Sequence, residues 1–318
     1  MRALVYDQGR LTFDCFAPVP TPLAGEALIA PSLMGVCATD QAILNGYGGF
    51  RGVLGHEFVG RVVAAPGHPE WQGRRVVGEI SITCHVCPAC RRGDFSHCLQ
   101  RTVLGIRGRD GVFAQFFTLP IANLHPVPDA LPDEAALFTE PLAAALEILQ
   151  QVHIPPDARV AVVGDGKLGL LVAQVVALTG CELLVIGRHP EKWRVLQSRG
   201  IPVVTTPQAE GEWDVVVECS GSPSGFALAR RLVRPRGRIV LKSALLSPLP
   251  LDLAGLTVDE ITLTGSRCGP FPAALRLLER KLVAVTPLLT AIYPLEQGVE
   301  ALRQQVSGAS VIKIALRP

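Results

Sequence analysis

The amino-acid sequence predicts a two-domain α/β protein in which a compact, mostly β unit is joined to a doubly wound parallel sheet. Two observations carry that expectation. Up to about residue 130, short β-like runs are broken by Gly and Pro, whereas from about residue 158 apolar strands alternate with helical stretches. The 318 residues, 48% of them hydrophobic, also exceed the usual length of one domain and can bury a sizeable core.

In the first part the β-like runs are Arg2 to Tyr6, Glu26 to Pro31, Phe58 to Ala64, Arg75 to Glu79 and Gln115 to Leu119. In the second part, strands are expected at Arg159 to Val163, Glu182 to Ile186, Asp214 to Glu218 and Arg238 to Leu241. Helices near 167–179, 190–199 and 223–233 separate them. The short strand at Pro202 to Thr205 leaves too few residues before Asp214 for a crossover helix, so a loop is expected over 206–212.

Composition excludes several classes. A net charge of +2, with no basic block beyond pairs such as Arg74-Arg75 and Arg91-Arg92, argues against a nucleic-acid partner. The amino terminus lacks a signal-peptide pattern and no apolar run requires a bilayer, so a cytoplasmic chain with no membrane partner is expected. Nine cysteines, an odd number with four in one cluster, fit reduced thiols and metal better than disulfides. Cys15, Cys181, Cys219 and Cys268 are scattered and read as small buried hydrophobes.

The cluster is Cys84, Cys87, Cys90 and Cys98, spaced C-x2-C-x2-C-x7-C. Four soft sulfurs close a tetrahedral zinc shell and leave no position free, so this reads as a structural site. The chemistry is therefore sought elsewhere.

The first strand of the second part runs into Gly164-Asp165-Gly166-Lys167-Leu168-Gly169 and then a helix. Between a strand and a helix, such glycines permit a tight turn, close approach of a pyrophosphate and close helix packing, so a dinucleotide site is expected there. The next strand ends in Gly187-Arg188-His189-Pro190, where an NAD site usually places Asp or Glu. Without that carboxylate, and with Arg188 available to pair with a phosphate, NADP is favoured over NAD. The alternative is that Arg188 merely lies on the surface and either cofactor serves.

Three further pieces lie far apart: Gly35-Val36-Cys37-Ala38-Thr39-Asp40, Gly55-His56-Glu57 and Glu140-Pro141-Leu142-Ala143. Cys37, His56 and Glu140 together make a three-ligand zinc site whose open fourth position suits an alcohol oxygen. Asp40 is placed to accept from the other ring nitrogen of His56. Taken singly, each has a bland reading: a buried thiol, a core histidine, an acid near a helix start.

With these pieces in order, the chain resembles the zinc-containing medium-chain dehydrogenase/reductase family of alcohol and polyol dehydrogenases. The resemblance runs through Gly-His-Glu-x-x-Gly at 55–60, the four-cysteine lobe, Asp110-Gly111-Val112-Phe113-Ala114, Glu140-Pro141-Leu142, the glycine turn, Val217-Glu218-Cys219-Ser220-Gly221 and Val311-Ile312-Lys313-Ile314. It implies a GroES-like catalytic domain, residues 1–141 and 268–318, holding catalytic and structural zinc. It also implies a Rossmann domain, residues 142–267, for the nicotinamide cofactor, and a homo-oligomer, dimer or tetramer.

By resemblance Cys37, His56 and Glu140 match the catalytic zinc ligands, and Glu57 a carboxylate close to the metal that approaches it during ligand exchange. Glu as third ligand is similar to the sorbitol, threonine and glucose dehydrogenase branches, which implies polar, polyhydroxy or secondary-alcohol substrates. Thr39 matches the hydroxyl that starts the proton's path to solvent. The relay histidine of many relatives is replaced by Ala42. Tyr47 and Phe50 are candidates for the substrate pocket wall, and Lys242 either touches cofactor or substrate or is simply exposed. The competing readings are zinc-free reduction of an activated double bond and a non-enzymatic nucleotide-binding protein on the same fold.

Overall fold

The ten-residue strand Glu26–Gly35 alternates fully buried with half-buried positions over most of its length, and it organises the first part of the molecule. It pairs antiparallel with Glu57–Ala64, Phe117–Pro120 and the closing strand Lys313–Arg317, inside a seven-stranded sheet. The structure, a computed structural model, describes residues 1–243, 248–307 and 310–318. By contacts the chain forms two units. One is Met1–Glu140 with Leu278–Arg280 and Leu289–Pro318, and the other is Pro141–Leu277 with Lys281–Leu288.

The first boundary falls beside the expected one, but the second lies later than residue 268. Residues 268–277 belong to the second unit because Gly269 is pressed against helix Thr139–Gln151. A Cβ on Gly269 would stand 2.0 Å from the Ala143 carbonyl oxygen. The Gln174 side chain likewise bonds both backbone groups of Ala284, at 3.1 and 2.8 Å, and draws 281–288 to the same unit.

In the first unit, Asp110-Gly111-Val112-Phe113-Ala114 is explained by packing. Gly55 has φ of +92°, and the Phe113 ring fills the place a side chain would take. The amides of Gly111, Val112 and Phe113 donate to the carbonyls of Val53, Gly55 and Leu54 at 2.7, 3.0 and 2.9 Å. Gly55-His56-Glu57 is thus fixed before any ligand is considered.

The second unit carries a six-stranded, wholly parallel sheet in the order Val203–Thr205, Glu182–Gly187, Arg159–Val163, Trp213–Glu218, Val233–Leu241, Thr262–Gly265. This is the doubly wound order, with its switch point between Arg159–Val163 and Trp213–Glu218, where such sheets bind nucleotides. Helices Lys167–Ala177 and Pro223–Leu232 form as expected. The expected helix over 190–199 is instead a 3-10 turn at Pro190–Lys192 and one α-turn at Arg194–Gln197.

The crossover before Trp213 holds a 3-10 turn, Thr206–Gln208, and no α-helix. Buried Ala209 and Trp213 fill the space, with the Arg159 guanidinium 4.7 Å from the indole centroid. The edge strand Thr262–Gly265 escaped sequence reading because its four residues are exposed or half-buried and carry no apolar run. Among the described residues no helix is long and apolar enough to cross a membrane.

Candidate functional site

The four lobe cysteines converge as their spacing predicts. Their sulfurs lie within 4.8 Å of one another, and Cys87 Sγ to Cys90 Sγ, Cys98 Sγ to Cys84 Sγ and Cys87 Sγ to Cys98 Sγ measure 3.5, 3.5 and 3.9 Å. A tetrahedron with Zn–S bonds of about 2.3 Å has edges of about 3.8 Å, so the donor set fits that ion. Backbone amides of Cys90 and Leu99 pull the Cys87 thiol down to about 6, while burial and the thiols of Cys87 and Cys98 push Cys90 up to about 12. Cys87 thus tends to thiolate while Cys90 holds its proton, and a cation among the four sulfurs would let all of them ionise.

None of the nine cysteines is in a disulfide. Of the four scattered ones only Cys219 is buried; Cys15 is exposed and Cys181 and Cys268 are half-buried, because each lies at the edge of an element rather than in a core face.

The second group is Cys37, His56 and Glu57, again with ligand atoms within 4.8 Å of one another. Cys37 precedes helix Ala38–Leu44. Its amide donates to Asp40 Oδ2 at 2.7 Å, and its sulfur lies 3.9 Å from Thr39 Oγ1. Asp40 is fully buried, and its Oδ1 faces His56 Nδ1 at 3.4 Å; neither atom has a closer partner among the described residues. That leaves Nε2 as the ring nitrogen for a metal, with Asp40 setting ring orientation.

Of the two carboxylates that sequence reading placed near this metal, Glu140 as ligand and Glu57 as a close neighbour, it is Glu57 whose oxygen lies within 4.8 Å of the Cys37 and His56 ligand atoms. Glu57 stands directly opposite Gly35 in the strand pairing, two residues from Cys37, so register alone delivers it. Glu140 lies half-buried in the first turn of Thr139–Gln151, outside the group.

Lys313 is the residue whose role went unread. It is fully buried, its ammonium contacts Glu57 Oε2, and it donates to the Val36 carbonyl at 2.8 Å. A Cβ on Gly35 would stand 2.6 Å from Lys313 Nζ and 2.7 Å from Glu57 Oε2, so glycine is required for the pair to fit. The signal was present in the sequence: a single Lys inside the apolar run Val311-Ile312-Lys313-Ile314.

Burial opposes protonation of His56, but the Asp40 carboxylate and the Cys37 sulfur outweigh it and raise its pKa well above the usual imidazole value. A metal entering this group therefore displaces a proton from His56. Zinc affinity at this site is expected to fall with falling pH, by about tenfold per unit for each proton displaced. Chelator competition across a pH series measures it, and a flat profile would remove the assignment.

The glycine turn divides its labour visibly. A Cβ on Gly164, whose φ is +114°, would stand 2.8 Å from the Ser220 amide nitrogen, and one on Gly169 would stand 2.0 Å from the Gly164 carbonyl oxygen. Gly166 instead has nothing within 4 Å and caps helix Lys167–Ala177 without a side-chain hydrogen bond. Its side of the turn is open where a pyrophosphate would approach the helix N-terminus, beside half-buried Lys167 and Leu168. The residues present thus fit a dinucleotide.

Gly187 is buried, and Arg188 is exposed with no ion pair for its guanidinium among the described residues. Asp165, which sequence reading passed over, is 4% exposed and turned toward them. Phe50 joins the core of the first unit, Tyr47 is 47% exposed, and Lys242 is buried with hydrogen bonds to Ser266 and the Arg267 carbonyl.

Comparison with known proteins agrees with this geometry. Residues 23–129 match the alcohol dehydrogenase GroES-like domain and residues 168–280 the zinc-binding dehydrogenase domain. The chain is 28% identical to erythritol/L-threitol dehydrogenase of Mycolicibacterium smegmatis, over 94% of this chain and 92% of that one. A cobalt- and zinc-bound thermostable alcohol dehydrogenase of Pyrobaculum aerophilum superposes with a TM-score of 0.90 at 28% identity, covering 100% of this chain and 99% of the other. A protein of Sinorhizobium meliloti 1021 solved with NADP bound gives a TM-score of 0.90 at 25% identity, with the same coverage. Two zinc-competent clusters, an open glycine turn on a doubly wound sheet and both matched domains place this chain in the zinc-containing medium-chain dehydrogenase/reductase family of alcohol and polyol dehydrogenases.

Proposed function

We propose that this chain oxidises a polyol, sugar or secondary alcohol with NADP as preferred hydride acceptor. The observation that carries the reading is the group of half-buried Cys37, buried His56 and a buried carboxylate in a chain with a complete dinucleotide turn. When bound, zinc supplies Lewis acidity toward the alcohol oxygen and the nicotinamide ring takes the hydride.

Cys37 and His56 hold the ion and Asp40 holds the His56 ring. Glu57 is the carboxylate that the fold presents to it, and Glu140 the one that family resemblance assigns. Thr39 Oγ1, half-buried beside the Cys37 sulfur, would accept a hydrogen bond from the alcohol and pass its own proton on as the alcohol's proton arrives. Ala42 offers no side-chain relay beyond it, so cofactor ribose hydroxyls or water carry the proton onward to solvent. The polyol class is supported by the similarity to an erythritol/L-threitol dehydrogenase. NADP is supported by the exposed Arg188, which has no ion pair among the described residues, and by the NADP-bound structure of similar fold. The set of free thiols supports a cytoplasmic setting, and exposed Val86, Phe95 and Leu99 on the cysteine lobe support a homo-oligomer. Neither zinc-free double-bond reduction nor a non-enzymatic role gains a supporting observation.

The test is NADP and NAD reduction, run separately, against polyols, sugars, amino alcohols and secondary alcohols on zinc-replete protein. Turnover on a polyhydroxy or secondary alcohol is expected; silence across the panel with full zinc and measurable cofactor binding would overturn the reading. In the same assay Arg188→Ala should raise the KM for NADP by about 10- to 100-fold, as expected for a lost charge-assisted contact of about 1.5–3 kcal/mol, and leave NAD nearly unchanged. Equal losses would remove the NADP preference.

A further inference from the structure

In sites that bind NAD, the carboxylate at the end of the second strand accepts from the adenosine ribose. Here that position is Gly187, yet the place is not empty of charge. Asp165, the second residue of the glycine turn, projects its carboxylate into the space a side chain at 187 would take: a Cβ there would lie 2.4 Å from Asp165 Oδ2. The missing side chain of Gly187 and the carboxylate of Asp165 are two halves of one arrangement.

The direction in which the carboxylate's lone pairs are used sets its role. Oδ2 accepts from the backbone amides of Arg188 and His189 at 2.8 and 2.6 Å and from the Trp193 indole at 2.8 Å, and Oδ1 accepts from His189 Nδ1 at 2.9 Å. Burial raises the carboxyl pKa, but the His189 imidazole, the Trp193 indole and the two amides outweigh it, so the group stays ionised at neutral pH. A 4% exposed carboxylate so engaged serves the protein's own turn rather than a ribose hydroxyl.

Two consecutive amides held by one oxygen restrict the backbone on both sides of the Arg188 Cα, and so the direction in which its side chain leaves. The guanidinium itself is exposed and has no ion pair among the described residues. An arginine on an unrestrained turn must lose backbone freedom when it meets a phosphate; on this turn that freedom is already lost before the cofactor arrives.

We propose that Asp165 is a positioning residue for cofactor choice: it clamps the turn Gly187 to His189 so that Arg188 meets the adenosine 2′-phosphate of NADP. The proposal rests on the NADP reading above and adds the residue through which that preference is built.

Binding of NADPH and NADH, followed by the fluorescence of the reduced nicotinamide, tests it without a known alcohol. The proteins are the zinc-replete chain, Arg188→Ala, Asp165→Ala, the double variant, and Gly187→Ala. The last leaves Asp165 in place but displaces its carboxylate. Gly187 is not in the left-handed region, so alanine is compatible with its backbone, and this variant keeps the test valid should Asp165→Ala fail to fold.

Asp165→Ala and Gly187→Ala are each expected to raise the Kd for NADPH about tenfold while the Kd for NADH moves less than about threefold. In the Arg188→Ala background, Asp165→Ala should add nothing further for NADPH, because its effect runs through Arg188. Equal weakening of both cofactors, or full additivity with Arg188→Ala, would reduce Asp165 to general support of the turn and overturn the proposal. If Arg188→Ala alone weakens NADPH and NADH equally, it is the NADP reading that fails, and that outcome is separate from the behaviour of Asp165.

Discussion

Replacing Cys37 by Ala is expected to lower kcat/KM at least about 10³-fold while leaving the fold and cofactor binding intact. The reason is chemical rather than architectural. Lewis-acid stabilisation by a catalytic metal is worth several kcal/mol, and about 4 kcal/mol corresponds to about 10³ in rate. Cys37 is half-buried at a helix start and contributes little to the core, so its loss removes a ligand and not a packing unit. Zinc content should fall from about two per chain to about one, because the closed four-cysteine site is built from other residues. Turnover that survives in a variant shown to hold only one zinc would mean that the reaction does not use the Cys37 and His56 site.

The second large effect is expected away from turnover. Lys313→Met removes the buried cation from Glu57, both partners being fully inaccessible to solvent. Breaking one side of a buried pair costs about 3–5 kcal/mol, because the remaining charge loses its compensation. In a unit of this size that is a fall in Tm of roughly 10 °C. Pairing it with Glu57→Gln should restore part of the loss, since the remaining groups are then neutral. Calorimetry on the single and double variants measures this. An unchanged midpoint in Lys313→Met would show that Glu57 is neutralised by something other than the lysine.

What could be read from the sequence divides by the range over which each interaction acts. The four-cysteine lobe and the glycine turn were legible because their geometry is set within about fifteen residues, where spacing dictates which atoms meet. The parallel sheet was legible because buried strands between helices have a distinct apolar rhythm. Glu57 as the third member of the Cys37 group depends on strand register between Glu26–Gly35 and Glu57–Ala64, and register is a tertiary property. Resemblance had put Glu57 near the metal, but Lys313 and Asp165 escaped: one acts across a sheet and the other across the ends of two strands, and neither belongs to a local motif. The shortened crossover was read correctly because a count of residues is enough to exclude a helix.

The pairing of Glu57 with Lys313 also bears on how the protein is made. The two residues are 256 positions apart, and the strand that carries the lysine reaches the first sheet only after the whole nucleotide-binding unit has been synthesised. At typical elongation rates of about 5–20 residues per second, the nascent first unit waits on the order of ten to fifty seconds with a carboxylate poised to be buried and no cation to meet it. The nucleotide-binding unit, by contrast, lies almost entirely within the run from Pro141 to Leu288 and can close earlier. The Glu57–Lys313 pair can therefore close only after nearly all of this sequence has been made, whereas Cys37, His56 and Glu57 are available to a metal earlier.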